Sequence, residues 1–494
     1  MERAHAPAPN RLAGQVMAIV GLARQGTVLA RYLCGQGARV RVTDLRGAQQ
    51  LQPVMAALHD LPIEYFLDGN PEQVLDDADG VFLSGGISTA APIARAARAR
   101  GISISNDSQL FLELAPCRTV GITGSAGKTT VTTLLGMMAT NAAQYPAVWV
   151  GGNIGNPLLA DVERIGADDV AIMEVSSFQL ELMTRSPQVS AVLNVTPNHL
   201  DRHGTLEAYA ASKARILDFQ SAADIAVLGW DDAGAAGLRS RAAGTCWGFG
   251  LQRREGWANC CHLEADTLVL EQAGTTVPII KRSELRLPGE HNLQNVLAAC
   301  ALAGALGIGV PAMRAAILNF TGVPHRLELV RELRGVRWIN DSIATAPERT
   351  LAAIKSFDCP LVLLLGGRDK QLPWGELAKC AAQRVRHAVV FGEAAAMIAE
   401  QLHGAAGQPT QFVEAGSGAK KHIGPTTVGE APIPDPSPLQ IHIVATMEAA
   451  VQCAAQLAWP GDAVLLSPGC ASFDEFYDFE ARGAAFRSHV ADLQ

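Results

Sequence analysis

Short apolar runs alternate with amphipathic stretches along most of this chain, and the pattern predicts an α/β protein. Val16–Val20, residues 40–43 and Gly80–Leu83 read as buried strands, while residues 27–34 and 91–100 place apolar side chains at helical spacing. Strand, helix, strand in that order implies a parallel sheet, because parallel neighbours need a crossover between them. The rhythm resumes with a strand at 117–123, a helix at 131–139 with one apolar face, and strands at Val170–Glu174 and 190–195. It returns a third time at Val336–Asn340, 361–365, 388–391 and 463–467. A more polar stretch, 247–281, predicts short antiparallel strands. Three domains follow: residues 1–106 as a Rossmann-like domain, 107–322 as a central domain with a small antiparallel sheet, and 323–494 as a second Rossmann-like domain. Within the last, residues 404–439 are rich in Gly, Pro, Ser and Thr, which favours a mobile surface loop.

Length supports this division, since 494 residues exceed what one core can organise. A 48% hydrophobic content with 18% charge describes a soluble protein, and no apolar run approaches the roughly 20 residues of a membrane span. The first residues, Met1-Glu-Arg-Ala-His-Ala-Pro, lack the apolar centre of a signal peptide, so a cytoplasmic location is expected. A net charge of −8 without Lys/Arg blocks argues against nucleic acid and for small substrates; a monomer is the expected state. Ten cysteines occur without a CxxC pair. Cys260-Cys261-His262 is their one cluster, and with no further ligand nearby in sequence the cysteines read as reduced, structural thiols.

The strongest chemical signal is Thr119-Val-Gly-Ile-Thr-Gly-Ser-Ala-Gly-Lys-Thr-Thr130, lying between a strand and a helix. Glycines let successive N–H groups of Gly124, Ser125, Ala126 and Gly127 turn toward one anion, and the helix directs its positive end there. Lys128 adds a mobile charge, and Thr129, followed by Thr130, is placed to reach a phosphate-bound Mg²⁺. Glu174 ends a neighbouring strand and suits a magnesium site. Residues 194–203 end another strand in a polar cluster, with a proline that puts His199 and Asp201 on a loop. Lys213 lies on a helix, where pattern alone would read it as a solvated charge. In the first domain Gly21-Leu-Ala-Arg-Gln-Gly26 opens a helix and Asp44 ends the next strand, as in dinucleotide sites, but Ala23 replaces the glycine that allows close approach of a pyrophosphate. Another nucleotide phosphate could sit there beside Arg24, Gln25 and Gly26. Ser84-Gly-Gly86 forms a second flexible turn, equally readable as an ordinary connection.

Taken together, Gly121-Ile-Thr-Gly-Ser-Ala-Gly-Lys-Thr-Thr, Gly151-Gly-Asn-Ile-Gly155, Glu174-Val-Ser-Ser-Phe-Gln-Leu-Glu, Asn198-His-Leu-Asp-Arg, Gly289-Glu-His-Asn-Leu-Gln-Asn295, Pro324-His-Arg326, Asn340-Asp-Ser342 and Leu466-Ser-Pro-Gly-Cys-Ala-Ser-Phe-Asp474 resemble the Mur ligase family of peptidoglycan enzymes over nearly the whole chain. The Glu174 and Cys470 runs are most similar to the branch that adds D-glutamate to UDP-N-acetylmuramoyl-L-alanine. The resemblance implies ATP and two Mg²⁺ ions, phosphorylation of the substrate carboxylate, and attack of the amine on the acyl phosphate. It implies that Lys128 holds the terminal phosphates, that Thr129 and Glu174 serve the first Mg²⁺ and His199 the second, and that Lys213 carries CO₂ as a carbamate. Asn292 and Asn295 would face adenine, and Arg326 and Asp341 would close over phosphates and ribose. Arg24, Gln25, Gly26, Ser84, Gly86 and Asn153 would meet the UDP-sugar, with Leu45 and Arg46 near uracil. Thr345, Lys370, Ser472 and Phe479 would receive D-glutamate. Since Lys128 and Asp341 would serve one nucleotide from different domains, domain closure is expected.

Three departures are visible. Ile343 stands where the family often has lysine, with Arg368 a candidate replacement; Ala126 replaces a commoner asparagine, and Gly85 a commoner proline. Three other readings stay open: another Mur-type or folylpolyglutamate-like ligase, a nucleotide-binding relative without catalysis, and a dinucleotide oxidoreductase built on Gly21–Gly26.

Overall fold

In the computed structural model the described residues are 12–197, 200–287, 289–370, 372–406, 411–414 and 439–494. The N-terminal apolar runs form a parallel sheet of β1 (Val16–Val20), β2 (Arg39–Thr43), β3 (Ile63–Phe66), β4 (Gly80–Leu83) and β5 (Ser103–Ser105), in the order β3-β2-β1-β4-β5. Every residue of β1 is buried, as its continuous apolar run requires at the centre of a sheet covered on both faces. Gly26 lets the following helix approach β1, because a Cβ there would lie 2.1 Å from the Gly21 carbonyl oxygen.

The second sheet contains β6 (Arg118–Thr123), β7 (Val148–Gly152), β8 (Val170–Glu174), β9 (Val189–Val192), β10 (Ile225–Gly229), β11 (Thr245–Gly250), β12 (Asn259–Glu264), β13 (Thr267–Gln272) and β14 (Thr275–Lys281), ordered β14-β13-β12-β11-β10-β9-β6-β8-β7. The chain crosses from one side of β6 to the other between β8 and β9, so the connections leaving β6, β8 and β9 converge at one sheet end. Such a switch point is where open sheets bind ligands. The expectation of antiparallel strands across 247–281 is corrected in part: β11 runs parallel to both β10 and β12, and only β12, β13 and β14 are antiparallel. The two antiparallel links are tight turns with Ala265, Ala273 and Gly274 at positive φ, whereas residues 251–258 are long enough to bring the chain back for a parallel partner. The helix Lys128–Ala142 is buried on more than the one face expected, because the helices Glu290–Ala305 and Val310–Asn319 pack on it as well as β7 and β8.

These two sheets belong to one compact unit, Met1–Phe320; Thr321–Gln494 form another. The latter holds β15 (Glu328–Leu333), β16 (Val336–Asn340), β17 (Leu361–Gly366), β18 (Val385–Phe391), β19 (Gln411–Glu414), β20 (Gln440–Ile443) and β21 (Ala463–Gly469), ordered β15-β16-β21-β17-β18-β20-β19 and parallel except for β15. The loop expected at 404–439 is corrected where it is described: residues 404–406 finish the helix Ala395–Ala406, and β19 pairs with β20. The rest of that stretch, 407–410 and 415–438, lies outside the described residues. No helix among the described residues is long and apolar enough to cross a membrane.

Candidate active site

Gly127 shapes the loop between β6 and its helix. Its φ is +84°, and a Cβ would stand 2.1 Å from Asn295 Oδ1, so this position accepts only glycine without rearrangement. The side chain of Asn194, just beyond β9, braces the same loop: its Oδ1 accepts from Ala126 N at 2.8 Å and its Nδ2 donates to Ala126 O at 3.2 Å. Ser125 Oγ donates to Thr196 O at 2.9 Å. The expectation that the Ser125 and Ala126 amides turn toward an anion is corrected, since both donate to Asn194, at 3.0 and 2.8 Å; what the loop offers an anion is the N-terminus of the helix Lys128–Ala142.

Glu174, buried at the end of β8, accepts from Thr129 Oγ1 at 2.7 Å on one oxygen and from Asn153 Nδ2 at 2.8 Å on the other. A hydroxyl and a carboxylate held together beside a phosphate cradle fit the oxygen preference of magnesium. Lys128 Nζ and Lys213 Nζ both donate to Gly124 O, at 2.9 and 3.0 Å. Lys213 is only 1% exposed and its Nζ lies 4.5 Å from the centre of the Tyr209 ring. Burial, with repulsion from Lys128, lowers its ammonium well below the usual lysine range, against the pull of Glu174. The bland reading of Lys213 as a solvated charge is therefore corrected. His199 lies outside the described residues.

Sequence reasoning missed the neighbouring network. His203 Nε2 meets Ser177 Oγ at 3.0 Å, its Nδ1 meets Glu181 Oε1 at 3.2 Å, and its ring stacks on Phe178 at 5.2 Å. Arg202 lies over Phe178 and donates to Gly86 O at 3.0 Å, tying this network to the first sheet. Nothing in a single sequence shows that the His203 side chain is buried, at 3% exposure, against these groups.

Around the first sheet, Arg24 Nη1 donates to Gly155 O at 2.9 Å and Gln25 Oε1 accepts from Gly85 N at 2.7 Å. Arg24 therefore touches the turn that carries Asn153 to Glu174. Ser84 is buried near Gly21, and Leu45 is 70% exposed. Arg46 donates through Nε and Nη2 to Asp44, at 2.9 and 2.7 Å. Burial pushes the Asp44 carboxyl up, but these bonds and Leu22 N outweigh it and hold the group below its ordinary value.

In the second unit, β16, β21 and β17 present their C-terminal ends side by side. Asp341 follows β16, buried, with Oδ2 accepting from Ser467 Oγ at 2.8 Å and Oδ1 from Leu327 N at 3.2 Å. Burial raises it to about 7, despite those bonds and the nearby cations Arg326 and Arg349. Lys370 Nζ donates to Thr345 Oγ1 at 3.1 Å. Partial desolvation, then repulsion from Arg349 and Arg482, lowers its ammonium although the side chain still reaches solvent. Ser472 is buried after β21, and the Phe479 carbonyl accepts from Ser342 Oγ at 2.8 Å. Arg482, unnoticed in the sequence and fully buried, clamps these loops: Nη2 donates to Ser342 O at 2.9 Å, Nε to Ser342 Oγ at 3.0 Å and Nη1 to Cys470 O at 3.2 Å. Asn292 and Asn295 share one helix three residues apart, and Asn295 reaches Gly127.

Elsewhere, Glu271 comes across from β13 to join Cys260 and His262, a third group that the sequence did not reveal. Arg253 takes both oxygens of Glu271 at 2.9 Å, and burial holds the Cys260 thiol up at about 12. The cluster is a hydrogen-bonded one, in keeping with ten free cysteines.

Comparison with known proteins agrees along the chain. Residues 15–106 match the Mur ligase MurD-like N-terminal domain, 122–303 the Mur ligase middle domain and 325–470 the Mur ligase glutamate ligase domain. The UDP-N-acetylmuramoylalanine--D-glutamate ligase of Symbiobacterium thermophilum is 38% identical over 476 residues, covering 96% of this chain and 98% of that protein. The ligase of the same name from Geobacter metallireducens is 36% identical, covering 98% of each. Among solved structures, the UDP-N-acetylmuramate-alanine ligase MurC of Thermotoga maritima superposes with a TM-score of 0.54 at 17% identity, over 97% of this chain and all of that one, which speaks for the fold.

Proposed function

This chain belongs to the Mur ligase family, and on that premise we propose that it is the ATP-dependent ligase joining D-glutamate to UDP-N-acetylmuramoyl-L-alanine in peptidoglycan synthesis. The observation that carries the reading is the grouping of Thr129, Glu174, Lys128 and Lys213 around one phosphate loop, in a chain with ligase relatives of the same length. A carboxylate oxygen of the UDP-sugar peptide attacks the γ-phosphorus of ATP and ADP leaves. The glutamate amine then attacks the acyl carbon, the C–O bond to phosphate breaks, and amide and inorganic phosphate result. Both steps gather anions, so positioning and electrostatic offset are the main demands.

In this reading the N-terminus of the helix Lys128–Ala142, with the loop 124–127 before it, and the Lys128 ammonium hold the ATP phosphates. Thr129 and Glu174 would hold magnesium, whose charge would offset that of the phosphates in transfer. His199 is proposed for a second ion. Lys213 suits carbamate formation because burial keeps its amine nucleophilic: the nitrogen bonds to the carbon of CO₂ and a proton leaves, giving oxygens that can face a cation. Asn292 and Asn295 are assigned to adenine, Arg326 and Asp341 to the phosphates and ribose. Arg24, Gln25, Gly26, Leu45, Arg46, Ser84, Gly86 and Asn153 are assigned to the UDP-sugar. The domains are taken as 1–106, 107–322 and 323–494, and the cytoplasm, where ATP is available, as the site of action.

Phosphate release from ATP and Mg²⁺ with UDP-N-acetylmuramoyl-L-alanine tests the reading across D-glutamate, L-glutamate, meso-diaminopimelate and no amino acid. Release that depends on D-glutamate supports it. Release with another amino acid reassigns the substrate, and none with any would leave a non-catalytic relative.

A further inference from the structure

Glutamate carries two carboxylates, and binding both calls for two cations or their equivalent. Lys370, fixed by Thr345, supplies one. Position 343 is an isoleucine that can supply none, and Arg368 does not stand in, because its Nε is engaged with Glu393 Oε2 at 2.8 Å. Arg482 is buried and spent on backbone carbonyls.

Arg349 is different. It lies in the first turn of the helix Pro347–Lys355, is exposed, and turns back so that Nη1 donates to the carbonyl oxygen of Ile343 at 3.3 Å. The guanidinium therefore stands beside the backbone of the residue whose side chain lacks a charge. One long hydrogen bond uses one of its five N–H groups. Arg349 is also close enough to press down the Lys370 ammonium. Among the described residues neither cation closes an ion pair with a carboxylate. The Asp341 carboxyl near Arg349 is held up at about 7 by burial and so offsets the two cations only in part; a ligand bearing carboxylates relieves the rest.

We propose that Arg349 binds one carboxylate of the incoming glutamate, supplying from the helix Pro347–Lys355 the charge that Ile343 does not. The assignment rests on the ligase reading above and adds a specificity residue to it. Planar guanidinium geometry suits bidentate recognition of a carboxylate.

The test is the KM for glutamate at saturating ATP and UDP-sugar in Arg349→Ala, Arg349→Gln and the double variant Ile343→Lys/Arg349→Ala. Loss of a hydrogen bond to a charged group predicts a rise of about 10- to 100-fold in KM for glutamate in both single variants. The KM for ATP should stay within about twofold, and the double variant should recover most of the loss, as a purely structural role would not. Arg349→Gln keeps polar packing if the alanine variant folds poorly, and melting curves identify that case. An unchanged KM for glutamate in a folded variant overturns the proposal, as does a double variant no better than the single. Absence of glutamate-dependent turnover in the parent would instead bring down the ligase reading and this inference with it.

Discussion

Lys213 shows how burial changes the meaning of a residue. On a helix of ordinary composition it is unremarked; in the fold it sits against Tyr209, shares the Gly124 carbonyl with Lys128 and has its ammonium disfavoured by desolvation. Replacement by alanine is expected to lower kcat by roughly 100-fold while ATP still binds, because the helix N-terminus and Lys128 remain. Equilibrium nucleotide binding alongside turnover checks this, and equal loss of both would mean that Lys213 is structural. If the amine takes up CO₂, activity of the parent should also fall after degassing and return with bicarbonate. At this scale the phosphate loop and Glu174 could be read from their neighbours in sequence, whereas Lys370 was singled out through the family resemblance alone. The contacts of Asn194, His203 and Arg482 stayed hidden, since they join segments distant in sequence.

Elements were legible where apolar runs are continuous and flanked by helices. Val16–Val20, Gly80–Leu83 and Val170–Glu174 are strands as expected, because a buried parallel strand has no polar face to blur its signal; Val336–Asn340 is one too, although Arg337 is exposed and one neighbour is antiparallel. The direction of β11 was not legible, since connection path rather than local composition sets it. In the third sheet β18 and β20 place His387 Nδ1 3.3 Å from His442 Nε2 in a buried pair. Burial lowers both, and for His387 to about 4, with its partner and Arg386 contributing. The unfolded histidine, titrating near 6.5, binds more protons than the folded one between about pH 6.5 and 4, so stability is present above that window and lost as pH falls through it. A His387→Asn variant should show a shallower fall in melting temperature from pH 7 to 4.5 than the parent. Parallel curves would show that the pair does not drive the acid sensitivity.

As a whole molecule the chain divides into Met1–Phe320 and Thr321–Gln494, each with its own apolar clusters. Calorimetry should therefore resolve more than one transition, or give a calorimetric enthalpy above the van't Hoff value, and Mg-ATP should raise the transition of the unit bearing the phosphate loop. A single two-state transition would show that the units unfold as one. The central claim remains the chemistry. It is tested most directly by labelling the carboxylate of UDP-N-acetylmuramoyl-L-alanine with oxygen-18 and following the label during turnover with ATP, Mg²⁺ and D-glutamate. Activation through an acyl phosphate predicts one labelled oxygen in the released phosphate for each amide formed. Unlabelled phosphate, or ATP cleavage with no new amide, would contradict the account.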